Sequence, residues 1–262
     1  MLYHSSFQIS FFQKDFKMSL NTAHTPDGKG VLIYNGELIL LYCKGVVIQF
    51  PGEKDDLLKK SVSGSMYLTS HRIIFISEGN SNKVKSLSMP FHCLNEVKIE
   101  LPLFGANYLK GFASPQPGGN LNSDTCWKVT FNKGGCTDFG RALLKAADMA
   151  RAFRPYDAPP PYQQPQGNVF APPPEYYMAP NGNMCGFQAP RDVFPDTPPA
   201  GSVYIFEQPP PYSGIGETTT ISQFPSNSNT NLNYRGPIPS APPSYENIRE
   251  EAPPLPPKSK IE

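Results

Sequence analysis

No stretch of this chain has the spacing of a catalytic or metal-binding motif. There is no G-x-S-x-G, no phosphate-binding G-x-x-x-x-G-K-[ST] and no H-E-x-x-H, which removes the common hydrolase, nucleotide-binding and metalloprotease classes. The carboxylates of the first half are scattered over charged segments, and Gly134-Gly135 reads as a turn rather than a phosphate cradle. Histidine is scarce. His4, His24, His71 and His92 stand at no ligand spacing from Cys43, Cys93, Cys126, Cys136 and Cys185, so neither zinc nor another cofactor is expected. The cysteines are odd in number, lack a C-x-x-C pair and follow no secretory signal. That combination favours reduced thiols and a place in the cytoplasm and nucleus. No apolar run reaches the length of a membrane span. No basic patch is interleaved with aromatics in a recognisable module, so direct nucleic-acid binding is not expected. The chain reads as a non-enzyme.

Proline is abundant but unevenly placed. Of 31 prolines, 25 follow residue 154. The charge changes at the same point: residues 1–154 carry a formal +6 and residues 155–262 a formal −5, hidden within a total of +1. About 150 residues suffice for one domain with a real core. The second part has too few periodic apolar residues to offset its ordering entropy, and 155–262 is expected to be a disordered tail. Residues 1–17 are aromatic-rich and carry Lys14, Asp15 and Lys17, with no small-residue cleavage site after them. They read as a disordered extension, with Met18 as the expected initiator.

Between these ends lie many short strands and one helix. Val31–Tyr34 and Glu37–Tyr42 flank Asn35-Gly36, a hairpin signal. Further strands are predicted at Val46–Phe50, Gly64–Thr69, Arg72–Ile76, Val84–Ser88, Val97–Leu101, Tyr108–Ala113 and Trp127–Phe131. The period then changes. Phe139, Leu143, Ala146, Ala150 and Phe153 share one face of an amphipathic helix, with Thr137 or Asp138 as its cap and Pro155 as its stop.

The run Gly64-Ser65-Met66-Tyr67-Leu68-Thr69-Ser70-His71-Arg72-Ile73-Ile74-Phe75 resembles the G-x-x-Y-L-T-x-x-R-x-I-F signature of GRAM domains. Met89-Pro90-Phe91 and Leu103-Phe104-Gly105-Ala106-Asn107-Tyr108-Leu109-Lys110-Gly111 narrow the resemblance to the WW-domain-binding protein 2 family. That family implies a mostly β, pleckstrin-homology-like fold over 18–154: a seven-stranded bent antiparallel sheet capped by a C-terminal helix. It also implies an adaptor or transcriptional coactivator whose partners are WW proteins, including coactivators of the Yes-associated-protein type and HECT-type ubiquitin ligases. Pleckstrin-like folds can hold phosphoinositides. Lys54, Lys59, Lys60, Lys83 and Lys85 are the candidate contacts to such a membrane, although Glu53, Asp55, Asp56 and Glu78 interleave with them.

The tail carries its own signal. Two prolines, any residue and a tyrosine recur four times, with Pro159, Pro160 and Tyr162, then Pro173, Pro174 and Tyr176, then Pro209, Pro210 and Tyr212, then Pro242, Pro243 and Tyr245. Proline holds φ near the polyproline II value, so each pair should meet an aromatic-lined WW groove already extended, with tyrosine as the anchor. Pro239-Ser240-Ala241-Pro242 is a candidate ligand for ubiquitin-E2-variant domains of ESCRT-I and shares Pro242 with the fourth motif. Pro253, Pro256 and Lys258 fit an SH3 ligand ending in a cation. Single short motifs bind at about micromolar affinity or weaker, and paired sites add roughly 10²–10⁴. Tyr162 and Tyr176 would be about 20 Å apart in a flexible coil and Tyr212 and Tyr245 about 30 Å, so a tandem WW partner should prefer the first pair.

Overall fold

The long apolar runs of the first half form strands buried on both faces, and this sets the layering. The structure, a computed structural model, describes residues 19–28, 30–53, 55–79, 83–115, 123–152 and 169–216. In chain order its strands are β1 (Ser19–Leu20), β2 (Val31–Tyr34), β3 (Ile39–Gln49), β4 (Val62–Thr69), β5 (Arg72–Ser77), β6 (Ser86–Pro90), β7 (Leu94–Glu100), β8 (Tyr108–Ala113) and β9 (Thr125–Phe131). Helix α1 (Cys136–Ala152) follows, then β10 (Val169–Phe170) and β11 (Val203–Phe206).

The main sheet is antiparallel in the order β1-β6-β5-β4-β3-β9-β8-β7. The predicted strands Glu37–Tyr42 and Val46–Phe50 are one continuous strand, β3, so that β3 to β9 make the seven the resemblance implies, arranged as two meanders that share the long β3. The two residues of β1 add an eighth at the edge, on β6. The register slips between Lys44 and Val46, where β3 passes from β4 alone to pairing with both β4 and β9. Such bulges increase the local bend. Helix α1 packs on one face of this sheet. Phe139, Leu143, Ala146 and Ala150, the predicted face, are all buried there with Trp127, Leu109 and Phe75. Phe153 and Pro155 lie outside the described residues. The mostly β architecture, a bent antiparallel sheet with one helix packed on it, is therefore as the resemblance implies.

Three expectations change. Asn35-Gly36 does make a tight turn, with the Glu37 amide donating to the Tyr34 carbonyl at 3.0 Å. Yet β2 does not pair with β3. It pairs in parallel with β11, and β11 pairs with β10, forming a separate three-stranded sheet. The helix begins one residue before the predicted caps. The Gly135 carbonyl accepts from the Phe139 amide at 2.9 Å, so Gly135 takes the cap position and Thr137 and Asp138 lie in the first turn. The largest change is in the tail. Residues 169–216 are not a disordered segment but fold onto the head.

They do so with isolated anchors. Ala179, Phe187, Phe194 and Ile215 enter the main core. Val203, Ile205 and Tyr177 join Val31, Ile33, Ile39, Tyr42, Tyr67, Ile74 and Ile76 in a second core on the outer face of the main sheet. This second layer is why β5 is buried at every residue. A strand covered on both faces reads as a continuous apolar run instead of an alternation. The anchors of 169–216 are spaced irregularly among prolines and glycines, so no period betrays them.

The signature glycine has a steric reason. A Cβ on Gly64 would lie 2.1 Å from the Ile76 carbonyl oxygen and 2.6 Å from the Phe75 ring. Gly64→Ala should therefore destabilise the head by about 1–3 kcal/mol, through overpacking between β4 and β5. Urea unfolding followed by tryptophan fluorescence measures this, with exposed Ser63→Ala as the near-neutral control.

Candidate docking surface and its buried ion pair

The turn between β4 and β5 carries a buried charge cluster. Arg72 opens β5, and Glu37 sits in the β2–β3 connection; both are buried. The Arg72 guanidinium grips the Glu37 carboxylate with a fork: Nε donates to Oε1 at 2.8 Å and Nη2 to Oε2 at 2.9 Å. Its remaining donors reach Ser88 Oγ at 2.8 Å and the Leu32 carbonyl at 3.0 Å. Glu37 also accepts from Thr69 Oγ1 at 2.6 Å and from the Tyr34 amide at 2.9 Å. The Tyr34 ring lies 4.7 Å from the guanidinium carbon. Burial pushes the Glu37 pKa up, but the charge and hydrogen bonds of Arg72 outweigh it and hold the carboxyl below its usual range. Burial opposes the Arg72 charge, and Glu37 more than compensates. Paired in a fork and bonded to four further groups, this pair is built as a structural element. The sequence shows Thr69 and Arg72 only as signature letters, and it hides Glu37 at the head of an apolar run.

Tyr212 of the third Pro-Pro-x-Tyr motif seats over this cluster. It is 6 % exposed and packs with Leu32, Tyr34 and Phe206. The Tyr34 ring meets it edge-on with centroids 6.0 Å apart, and the rings of His92 and His71 lie at 5.5 and 6.2 Å. The second motif differs. Tyr176 is 44 % exposed, and Pro174–Tyr176 forms a turn of 3₁₀ helix instead of an extended segment. Proline permits this because φ near −65° suits the first turn of a helix as well as polyproline II. Pro173 keeps the extended form, with φ −66° and ψ 158°. The first and fourth motifs lie outside the described residues, as do the Pro239–Pro242 and Pro253–Lys258 candidates and Lys54.

The other candidate lysines share one end of the main sheet. Lys59 and Lys60 lie in the β3–β4 connection, and Lys83 and Lys85 in the β5–β6 connection. The pairings Ile48↔Val62, Gly64↔Ser77 and Ile76↔Ser86 bring those connections to the same side. Lys59 is paired with Asp56. A different connection, between β7 and β8, exposes Leu101, Leu103 and Phe104. Among the described residues no group of three or more metal-ligating side chains converges. No described helix is long and apolar enough to cross a membrane. An open cleft of about 360 Å³ beside the start of α1 is lined by Gly105, Asn107, Gly134, Cys136, Thr137 and Asp138. All five cysteines are free. Burial pushes the Cys43 thiol up to about 12 and Cys93 higher, so neither is a ready nucleophile.

The GRAM domain model matches residues 53–149, from the β3–β4 connection to the last turn of α1. Over 135 residues the chain is 36 % identical to WW domain-binding protein 2 of Homo sapiens, covering 51 % of each. Over 188 residues it is 31 % identical to the Homo sapiens postacrosomal sheath WW domain-binding protein, covering 70 % of this chain and 59 % of that one. The N-terminal PH domain of Vps36 is a structural neighbour, with TM-score 0.39, 19 % identity, and coverage of 50 % of this chain and 93 % of that one. The chain is thus similar to the WW domain-binding proteins over part of its length. It spans about half the length of the curated WW domain-binding protein 2 relatives it matches.

His71 makes the cluster sensitive to acid. Burial is the main cause that lowers its pKa from 6.5 to about 4, with Glu37 raising it and Arg72 lowering it further. The unfolded chain therefore binds a proton in that window that the folded head refuses. Stability is full above about 6.5 and falls as pH drops toward 4. Glu37 adds a further loss at lower pH, as its depressed carboxyl protonates. We expect His71→Gln to flatten the upper part of this decline, by on the order of 3 kcal/mol at pH 4 relative to pH 7. His24, shifted the same way, leaves a residual slope. Urea midpoints measured across pH 4–7 test this.

Proposed function

We propose that this chain is a non-enzymatic adaptor that binds WW-domain proteins through its Pro-Pro-x-Tyr motifs. The supporting observation is the second motif: Tyr176 stands 44 % exposed beside Pro173-Pro174, in a chain whose relatives are named for WW-domain binding. The paired buried charges and the inert buried thiols fit a scaffold rather than a catalyst. The partners proposed are coactivators of the Yes-associated-protein type and HECT-type ubiquitin ligases, met in the nucleus and the cytoplasm, with transcriptional coactivation as the output. Multivalency sets the affinity, because each motif alone is weak.

A second reading is a membrane-associated sorting adaptor. Leu103 and Phe104 are 97 % and 93 % exposed on the β7–β8 connection, and four of the candidate lysines share one sheet end. Lysines gathered on neighbouring connections attract anionic bilayers, whereas the pairings Gln49↔Lys128 and Lys110↔Lys128 set Leu103 and Phe104 at the other end of the sheet. Co-sedimentation of the chain with phosphoinositide-containing vesicles, lost when Lys59, Lys60, Lys83 and Lys85 are changed to Glu, would favour it.

The decisive comparison is a pull-down from native lysate with the full chain and with Tyr162, Tyr176, Tyr212 and Tyr245 all changed to Ala. WW-domain coactivators should vanish from the variant. Dominance of ubiquitin ligases and ESCRT components would favour sorting over transcription. Identical captures from the two baits would overturn the adaptor reading. Tyr162→Ala should weaken a tandem WW partner more than Tyr245→Ala does.

A further inference from the structure

The third motif is held by the head at both ends and in the middle. Before it, β11 lies in parallel register on β2, with Val203 opposite Val31 and Phe206 opposite Tyr34. The Asn35 amide then donates to the Gln208 carbonyl at 3.0 Å. In the middle, Tyr212 is sunk among Tyr34, Phe206, His71 and His92. After it, the Ile215 amide donates to the Ser70 carbonyl at 2.8 Å, and the Ile215 side chain is fully buried in the main core. Between these anchors Gly214 lies so close to His71 that a Cβ there would stand 2.5 Å from Nε2. Pro210 and Pro211 are half-buried, and Pro209 is exposed.

A WW groove takes the tyrosine and the prolines of its ligand on one face. Tyr212 cannot occupy that groove while its ring fills the pocket on the head. We propose that the head carries a binding site for a proline–tyrosine segment, built from Tyr34, His71 and His92 and completed by Phe206 of the strap itself, and that it withholds the Pro209–Tyr212 motif from WW domains. The proposal rests on the reading of these motifs as WW ligands. The occupant is the chain's own third motif, delivered by the β11–β2 pairing. A WW domain must compete with a tethered ligand, so its apparent dissociation constant rises by the inverse of the fraction of chains in which the strap is released. The four motifs are then unequal: the third becomes available only when 203–216 lifts from β2. Tyr176 is exposed in the same structure, and its motif needs only the 3₁₀ turn Pro174–Tyr176 to open, with no tyrosine ring to withdraw from a core.

The test uses the full chain carrying Tyr162→Ala, Tyr176→Ala and Tyr245→Ala, so that only the third motif remains. Its affinity for a recombinant WW domain of a HECT-type ubiquitin ligase is compared with that of a synthetic peptide of residues 205–216. The peptide should bind at least tenfold more tightly than the chain. Gly214→Val lies outside the motif and meets the His71 ring, so in the full chain it should recover most of the difference and leave the peptide unchanged. Phe206→Ser, which loosens the strap without touching the main core, should act the same way, and circular dichroism of both variants reports the fold. Equal affinity of peptide and full chain would overturn the masking while leaving the WW reading intact. A peptide that does not bind would overturn the WW reading, and the masking with it.

Discussion

The forked pair of Glu37 and Arg72 ties together elements that the chain order keeps apart. Glu37 comes from the β2–β3 connection and Arg72 from the first residue of β5. Their partners extend to Thr69 on β4, Ser88 on β6 and the backbone of β2. One guanidinium and one carboxylate thus fix the corner at which the small sheet meets the large one. Two charges out of water carry a large desolvation cost, and only a full set of hydrogen bonds offsets it. Here the set includes two contacts in the fork, two further acceptors for Arg72 and two further donors to Glu37. Removing either partner would strand a buried charge, which costs far more than an exposed ion pair is worth.

The same corner is the floor of the proline–tyrosine pocket. Tyr34 lies over the guanidinium on one side and meets Tyr212 on the other. His71, between the signature Thr69 and Arg72, supplies another wall and is anchored by Ser70 at 2.7 Å. The residues that hold the head together therefore also shape the surface that receives the third motif. A scaffold role and a docking role meet in one set of side chains, and no catalytic group is needed for either.

Two classes of element were differently legible. Strands β4, β5, β8 and β9 and the buried face of α1 lie close to where the pattern of apolar residues puts them, because their periods are regular and their neighbours adjacent in sequence. Strand β2 is legible in the sequence but its partner is not: Asn35-Gly36 indicates a turn without saying which strand follows it into which sheet. The cap of α1 fell on Gly135 because its carbonyl accepts from Phe139, a choice that Thr137 and Asp138 obscure by being better capping residues. The strap of 169–216 was missed because Tyr177, Phe187, Phe194, Val203 and Ile215 anchor singly among prolines. Composition averages them away, although Val203-Tyr204-Ile205-Phe206 is a strand-forming run even within the proline-rich part.

The sequence by itself determined the class of the head, the family signature, the four Pro-Pro-x-Tyr motifs and the division of charge between the two halves. These are local patterns, readable because propensity, period and motif act over a few residues. Tertiary structure alone decided that β2 pairs with a strand about 170 residues away, that Glu37 is the partner of Arg72, and that Tyr212 is buried while Tyr176 is exposed. The two tyrosines sit in the same tetrapeptide pattern. They differ only in what the fold brings against them, and burial is a property of the surroundings rather than of the motif.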